Sequence, residues 1–312
     1  MKVQKTLRLF VSATAIVALA ACGGGSERAA DGSARPSGSN KPLTIKGSDT
    51  MVILGQRLAE EYMKAKPGTV VQVNGGGSGT GIAALINGTV DLAQASREMK
   101  DQERQQIQKS KGAEVVEQAI ALDALAVFVH DGNPVKQLTI EQVRGIYQGR
   151  TKNWSEVGGS NAPIVLYGRE SSSGTYDYFR EHVLDKGDFA SAVQTLQGTA
   201  AIINAVGRDA NGIGYGGIAY AKDVRPLAIG PAGSAVAPSV TTVADGTYPL
   251  SRKLFLYYAA NAPQRVTDFV QWSLTPEAQA LVTKVGYFPL ETTTQPGAAD
   301  TAATGTTATE AQ

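Results

Sequence analysis

The sequence predicts an α/β fold in which largely parallel strands and helices are arranged as two lobes that face each other. Short apolar runs rich in β-branched residues alternate along the chain with stretches whose apolar residues recur at helical spacing. A similar order of strand, turn and helix recurs in the second half of the chain. The chain has 312 residues, 42% hydrophobic and 18% charged, which is enough to build more than one core.

The first half opens with a short strand and an amphipathic helix. Met51, Leu54 and Leu58 recur at helical spacing, which predicts a helix over 51–66 that Pro67 stops. The predicted strands of this half are 43–46, 70–73, 90–95, 115–120 and 122–129. The other predicted helices are 82–87, which Gly88 ends, and the polar stretch 101–111.

The second half repeats this pattern. Thr139 is the predicted N-cap of a helix over 140–147. A strand over 164–167 leads through a serine-rich turn into a helix over 176–184, and residues 199–221 alternate helix, turn and strand. A late buried strand follows over 254–258. The amphipathic pattern over 266–285 predicts one long helix.

The N-terminus has the pattern of a lipoprotein signal peptide over residues 1–22. Positive charges within residues 1–8 precede an apolar stretch that is too short to span a bilayer. The sequence LAAC at 19–22 resembles a bacterial lipobox, which implies that Cys22 is lipidated and becomes the mature N-terminus. The alternative is that Cys22 is a small residue in a discarded signal peptide. The sequence predicts a flexible tether over residues 23–41 and a disordered tail over residues 292–312.

Composition limits the kinds of ligand. The formal net charge is +1, so the protein as a whole does not attract nucleic acid or an acidic membrane, and the lipid anchor would make the only membrane contact. With a single cysteine, the chain forms no internal disulfide, and neither a metal centre nor a cofactor is predicted. A site for an anion therefore has to be built locally.

Three segments, residues 47–50, 77–81 and 171–175, share one design. In each, a strand ends in a turn rich in glycine and hydroxyl side chains, and a helix follows. Such a turn presents backbone N–H groups and hydroxyls at the positive end of a helix dipole. In parallel α/β sheets these turns lie at the carboxyl edge, where ligands bind. Each alone also fits a simple N-cap, but three together, with Arg97 and Arg169 adjacent, favour a tetrahedral oxyanion.

Phosphate fits this set of donors because its oxygens point in several directions and a guanidinium binds two of them in parallel. Donors alone would accept sulfate equally well. Discrimination requires an acceptor for the proton that phosphate still carries near neutral pH. Asp49, in the first turn, is the candidate acceptor; the alternative is that Asp49 only caps the helix beginning near Met51.

Other interpretations of the glycine run fit less well. A P-loop needs a lysine after its last glycine, but Ile82 follows Gly81. The spacing of a dinucleotide fingerprint and that of a nucleophile elbow are also absent. His130 and His182 are the only histidines, and nothing in the sequence pairs either one with a serine or an acid. A hydrolase is therefore the less favoured alternative.

Six motifs together resemble the phosphate-binding proteins of high-affinity phosphate ABC transporters. They are GSDTM at 47–51, GGGSGTG at 75–81, AQASR at 93–97, TKNWSEVGG at 151–159, RESSSGT at 169–175 and GIGYGG at 212–217. The resemblance implies a two-lobed periplasmic-binding-protein fold of type II. Lobe one would comprise residues 42–130 and 250–291, and lobe two residues 131–249.

The resemblance implies seven of the binding residues, which are Asp49, Thr50, Ser78, Arg169, Ser173, Gly174 and Thr175. Ser48, Gly79 and Arg97, which lie in or beside the three turns, complete the predicted phosphate site. Arg97 departs from the family pattern, because it stands where other members have the aspartate that accepts the phosphate proton; we therefore assign that role to Asp49. Ser171 stands where other members have an acidic partner for the arginine, so Arg169 is predicted to be less neutralised and the site more electropositive.

The function implied is a non-enzymatic receptor that binds inorganic phosphate on the periplasmic side of a bacterial membrane. Its expected partners are the permease and ATPase subunits of a phosphate ABC transporter. Two alternatives stay open from the residues: a binding protein for another oxyanion, such as sulfate or molybdate, and a phosphate-ester hydrolase that uses one of the serines.

Overall fold

The computed structural model of the protein describes residues 41–290. The predicted signal peptide with Cys22 and the predicted tail lie outside the described residues, as does the tether except for Lys41. The strands are β1 (Leu43–Gly47), β2 (Val71–Asn74), β3 (Leu92–Ala95), β4 (Val115–Val129), β5 (Gln137–Leu138), β6 (Val165–Arg169), β7 (Gln194–Leu196), β8 (Gly212–Gly217), β9 (Arg225–Pro226), β10 (Ala228–Ile229) and β11 (Ser251–Ala259). The helices are α1 (Val52–Ala65), α2 (Ser78–Ile86), α3 (Asp101–Lys111), α4 (Ile140–Tyr147), α5 (Gly174–His182), α6 (Thr199–Arg208), α7 (Val240–Ala244), α8 (Gln264–Ser273) and α9 (Pro276–Val285). Within 41–290, no helix has the length and apolar character needed to cross a membrane.

Two groups of strands share the long strand β4. The strand order is β2-β1-β3-β11-β4-β8-β6-β7, with β9 also paired to β4. Residues 115–124 of β4 pair with β11, and residues 125–129 pair with β8. We call β2, β1, β3 and β11 the first strand group, and β8, β6 and β7 the second strand group.

The outer pairs of both groups are parallel. β1 pairs with β2 and β3, and β6 pairs with β7 and β8, in each case with parallel strands. Parallel neighbours require crossover connections, which α1, α2, α5 and α6 provide between successive strands. These units confirm the α/β class, whereas the antiparallel pairing of β11 with β3 and β4 at the centre was not predicted.

Each strand group has its own apolar core. In the first group, Ile45 of β1 packs in one buried cluster with Leu54 of α1. In the second group, Val127 of β4 lies in another cluster with Phe179 of α5 and Tyr215 of β8. Because these clusters bury the strands and the helices that follow them, the turns between strand and helix are held in fixed positions.

Three elements differ most from the prediction. α2 begins at Ser78 rather than at 82, because Gly76 and Gly77 adopt φ angles of 111° and 94° and turn the chain inside the glycine run. The single helix predicted over 266–285 is two helices. Thr275 caps a new helix, and Pro276 at its first position has no N–H with which to continue the old one. The two strands predicted over 115–129 are one continuous strand, β4.

Candidate functional site

The turn after β1 carries Ser48, Asp49 and Thr50. The Ser48 hydroxyl donates to Ser96 Oγ at 2.9 Å, which ties this turn to the end of β3. The Asp49 carboxylate is fixed from the neighbouring turn, because the Gly76 N–H donates to Asp49 Oδ1 at 2.8 Å. Ser48 and Thr50 are buried, whereas Asp49 is partly exposed. The turn therefore directs a carboxylate and two hydroxyls toward the other predicted turns.

The glycine run forms the first turn of α2 and approaches the third predicted turn closely. The Gly79 N–H donates to the Ser172 carbonyl at 2.9 Å. A Cβ at Gly77 would lie 2.6 Å from the same carbonyl oxygen, so only glycine allows the two loops this approach. The buried hydroxyl of Ser78 accepts from the Ser96 N–H at 3.1 Å. Ser96 thus joins two of the turns, a role that the sequence did not indicate.

The turn after β6 caps helix α5. Ser173 is the N-cap, and its Oγ accepts from the N–H of Thr175 at 3.1 Å. A Cβ at Gly174 would lie 2.3 Å from Ser78 Oγ, which shows how closely this turn faces α2. The hydroxyl of Thr175 lies 2.9 Å from that of Thr50. The three predicted turns thus meet at one place in the structure.

Arg169, at the end of β6, contacts the same cluster and is almost fully buried. Its Nη1 donates to Thr199 Oγ1 and its Nη2 donates to Asp49 Oδ2, both at 3.0 Å. Glu170 accepts from Nε at 3.1 Å and from Nη2 at 2.8 Å. The prediction that Arg169 is poorly neutralised is therefore wrong. Two carboxylates pair with it, because Glu170 and Asp49 reach the guanidinium although Ser171 does not.

The structure does not bring the Arg97 side chain to this cluster. Its Nη1 and Nη2 bind both oxygens of Glu103, at 2.8 and 2.7 Å, and its Nε lies 2.9 Å from Asp177 Oδ2. Nη1 also donates to the Glu98 carbonyl at 2.8 Å. Burial by itself would lower the pKa of Arg97, but the hydrogen bonds to Glu103 and the charge of Asp177 outweigh it and raise the pKa. Arg97 is thus a fully charged residue whose partners lie outside the three turns.

A buried ion pair, which the sequence analysis missed, supports the third turn. Asp123 of β4 and Arg252 of β11 are register partners, and Asp123 Oδ2 accepts from Nε at 3.0 Å and from Nη2 at 2.8 Å of Arg252. Arg252 Nη2 also donates to Thr175 Oγ1 at 3.1 Å. Burial raises the pKa of Asp123, and the nearby charge of Arg252 opposes that shift. The available signal was a lone carboxylate inside the otherwise apolar stretch 122–129, since buried charges need a partner.

The assembled site suits an anion better than a metal or a nucleophilic reaction. It combines buried hydroxyls, helix N-termini and the buried guanidinium groups of Arg169 and Arg252. Among the described residues, no group of three or more His, Cys, Asp or Glu side chains could hold a metal ion. Within the same range neither histidine is hydrogen-bonded to a serine: His130 Nδ1 accepts from the Gly132 N–H, and the His182 ring packs against Tyr178.

Comparisons with known proteins agree with this chemistry. The model of a family described as PBP superfamily domain matches residues 27–277. The phosphate-binding protein PstS of Pseudomonas aeruginosa is 37% identical over 276 residues, which cover 82% of this chain and 85% of that protein. Protein SphX of Synechococcus elongatus is 35% identical and covers 84% of this chain and 80% of its own length.

Two solved structures are also similar to this chain. A Clostridium perfringens chain with bound phosphate has a TM-score of 0.74 at 30% identity, covering 80% of this chain and 100% of that one. An ABC-type phosphate transport receptor from Vibrio cholerae has a TM-score of 0.65 at 30% identity, covering 79% of this chain and 99% of that one.

Proposed function

Because this chain belongs to the family described as PBP superfamily domain and is 37% identical to the phosphate-binding protein PstS of Pseudomonas aeruginosa, we propose that it captures inorganic phosphate and delivers it to an ABC importer. The predicted type II periplasmic-binding-protein fold is confirmed by the same membership. The observation that carries the proposal is the meeting of three donor-bearing turns beside Arg169. That arrangement offers hydrogen bonds to a tetrahedral anion from several directions at once.

Besides the Thr50 hydroxyl in the turn after β1, the donors of the proposed phosphate site fall into three sets. The Ser78 hydroxyl and the N–H groups at the start of α2, other than that of Gly79, which donates to the Ser172 carbonyl, form the first. The turn 173–175 at the start of α5 forms the second. The third is the guanidinium of Arg169, which the Thr199 and Asp49 contacts hold in a fixed orientation. Preorganised donors in a site without water bind an anion strongly, since each contact acts in a low dielectric.

Asp49 is proposed as the group that recognises the phosphate proton. Each of its carboxylate oxygens accepts one hydrogen bond, Oδ1 from the Gly76 N–H and Oδ2 from Arg169. A carboxylate oxygen has two lone pairs, so each retains capacity for a protonated phosphate oxygen. Sulfate carries no proton near neutral pH and would meet the same carboxylate as an unpaired, repelling charge.

Closure of two lobes over the anion completes the proposal. Lobe one would comprise residues 42–130 and 250–291 and lobe two residues 131–249, so the chain would cross between the lobes after β4 and before β11. Hinge closure is a common response to a bound ligand and excludes water from the site. The donors supplied by α2 belong to the proposed lobe one, and those supplied by α5 and Arg169 to lobe two, so the anion would stabilise the closed state.

For the place of action, we propose the periplasmic side of a bacterial membrane. Lipidation of Cys22 would anchor the chain, and the flexible tether would let the body reach the permease and ATPase subunits of the transporter. The name of the Vibrio cholerae protein, a phosphate transport receptor, supports a role in transport.

Isothermal titration of the purified chain with phosphate, sulfate and molybdate tests the proposal. We expect one phosphate to bind per chain and the other two anions to bind at least about 100-fold more weakly, since an unpaired buried charge costs several kcal/mol. Tight binding of sulfate or molybdate with weak binding of phosphate would contradict it.

The hydrolase alternative is tested separately with a chromogenic phosphate ester. We expect no turnover above the uncatalysed rate. Sustained turnover that is lost in Ser78→Ala or Ser173→Ala would show that the protein is an enzyme and would exclude the receptor role.

A further inference from the structure

A cluster of charged side chains connects the end of β3 to helix α5 outside the turns that would bind the anion. Arg97 and Glu103 form a bidentate ion pair, and Asp177 Oδ2 lies 2.9 Å from Arg97 Nε. Lys100 Nζ lies 3.0 Å from the same oxygen of Asp177. We call these four residues the charged latch.

The charged latch joins the two strand groups. Arg97, Lys100 and Glu103 lie on β3's C-terminal loop and on α3, which packs against α2 and β11 of the first group. Asp177 lies on α5, which packs against β6 of the second group. The contact is therefore not local, and it is one of the contacts that join the two groups, together with those of Gly79 with Ser172 and of Thr50 with Thr175.

The charged latch lies next to residues of the proposed phosphate site in both parts of the fold. Asp177 is one helical turn from Ser173, whose carbonyl accepts the Asp177 N–H at 3.1 Å. On the other side, Arg97 follows Ser96, whose N–H donates to Ser78 Oγ at 3.1 Å. An ion pair between Arg97 and Asp177 therefore holds Ser78 at a set distance from Ser173.

Glu103 orients the Arg97 guanidinium independently of Asp177. Both oxygens of Glu103 accept hydrogen bonds from this guanidinium, and the Glu103 carboxylate is itself held by a hydrogen bond from the Lys100 N–H at 2.8 Å. The side chain of Arg97 is only 8% exposed, whereas that of Asp177 is 24% exposed. Arg97 thus has one carboxylate partner, Glu103, in its own part of the fold and a second, Asp177, on α5. The contact with Asp177 forms only when the two strand groups are close.

We propose that Arg97 and Asp177 are positioning residues that hold the phosphate-bound, closed form together and so set the rate at which phosphate leaves. This inference rests on the proposed function, because it assumes that phosphate is the ligand and that the two lobes close over it. It gives Arg97 a role that does not require contact with the anion.

The test is the dissociation rate of phosphate from the full chain carrying Asp177→Asn. Bound ³²P-labelled phosphate is chased with an excess of unlabelled phosphate. The substitution removes the charge that Arg97 and Lys100 share but leaves the Arg97–Glu103 pair intact. We expect dissociation to become about tenfold faster with the association rate changed less than about twofold, in the range of coupling between contacting sites.

Asp188→Asn is the matched control. Asp188 lies beyond the same helix and pairs with Arg180 at 3.4 Å, but it is 95% exposed and its partner is on α5 itself. We expect its dissociation rate to equal that of the wild type. Equal rates in Asp177→Asn and wild type, or equal acceleration by both substitutions, would overturn the latch.

Two further readouts separate a latch from general loosening of the fold. Raising the salt concentration should speed dissociation from the wild type but not from Asp177→Asn, because the substitution removes the partly exposed carboxylate that pairs with Arg97 and with the exposed Lys100. Arg97→Gln should add little to Asp177→Asn in the double variant, since both remove the same contact. Additive effects, or an unchanged salt response in Asp177→Asn, would count against the latch.

The same experiments distinguish failure of the latch from failure of the proposed function. A wild-type chain that binds no phosphate would overturn both. A wild-type chain that binds phosphate and dissociates at the same rate as Asp177→Asn would overturn the latch alone. If Asp177→Asn failed to fold, Arg97→Lys, which keeps a cation beside Asp177, would serve: the latch requires its dissociation rate to lie between those of the wild type and Arg97→Gln.

Discussion

The loop after β3 and the end of β6 each carry a buried arginine, and the two arginines have different partners. Arg169 pairs with Asp49 and lies among the residues that meet at the proposed anion site. Arg97 pairs with Glu103 and Asp177, which lie on helices outside it. A buried guanidinium requires carboxylate partners wherever it lies. The position of the carboxylate partners therefore decides whether a buried arginine faces a ligand or connects parts of the scaffold.

The largest expected effect that separates the two arginines is that of Arg169→Gln. Removing a buried, hydrogen-bonded cation costs about 2 to 5 kcal/mol, so phosphate affinity should fall by about 30-fold or more. The matched Arg97→Gln variant should retain measurable binding with an affinity reduced about tenfold, through faster dissociation. Calorimetric titration of both variants measures this difference. Equal losses would mean that Arg97 contacts the anion directly.

Asp49→Asn should alter selectivity rather than abolish binding. The amide keeps the shape of the side chain but removes the charge that excludes sulfate, so the preference for phosphate over sulfate should narrow by about tenfold or more. Competition titrations with the two anions measure the ratio.

Glu170→Gln is the control for Asp49→Asn, because Glu170 is the other carboxylate bound to Arg169. It should weaken phosphate and sulfate binding alike and leave their ratio unchanged. A ratio that shifts equally in both variants would exclude Asp49 as the proton acceptor.

Thr199→Val tests whether the orientation of Arg169 matters. Valine keeps the branched shape that packs against Gly216 but accepts no hydrogen bond from Arg169 Nη1. Losing a hydrogen bond to a charged group costs about 1.5 kcal/mol or more, so the dissociation constant should rise about tenfold. Thr267→Val on α8 is the control, since its hydroxyl donates only to the carbonyl of Gln264. An unchanged dissociation constant in Thr199→Val would mean that Arg169 is oriented by its carboxylates alone.

The smallest expected effect is on the free energy of unfolding, through the ion pair of Arg97 with Glu103. Burial raises the pKa of Glu103, but the hydrogen bonds from Arg97 and from the Lys100 N–H outweigh it, so the folded-state pKa is lowered. A lowered pKa means stabilisation that is present above the unfolded-state pKa of about 4.3 and is lost as the pH falls through the folded-state value. Glu103→Gln should therefore lower the free energy of unfolding by about 1 kcal/mol at pH 7 and by much less near pH 3.

Urea unfolding at both pH values measures this difference. Glu60→Gln is the control, because Glu60 pairs with Arg57 at the surface, where both side chains are about half exposed. Its effect should stay below about 0.5 kcal/mol at either pH. A Glu103→Gln deficit that does not shrink in acid would mean that lost packing, not the ion pair, is its cause.

Much of the fold was predictable because its signals are local. Helical spacing of apolar residues placed α1, and the Thr139 cap placed α4 at the bounds observed. The errors occurred where two local rules compete. Over 266–285 the apolar spacing continues without a gap, but Thr275 and Pro276 start a new helix, so the cap overrode the periodicity.

The site was predictable in part for the same reason. Ser78, Ser173 and Thr175 could be proposed because glycine, serine and threonine before a helix have a local meaning. Ser96 and the pair of Asp123 with Arg252 have no such turn pattern, and their partners lie far away in the sequence. Thr199 does start α6 after Gly198, but its contact with Arg169 is set by the fold.

The sequence by itself determined the α/β class and the three donor-bearing turns, because these depend on residues within a few positions of each other. Only the tertiary structure decided the partners of the two arginines. The carboxylates that neutralise Arg169 and Arg97 include Asp49 and Asp177, each brought from a different part of the chain. Coulomb attraction depends on distance in space, and distance in space between remote residues is set by the packing of the whole fold.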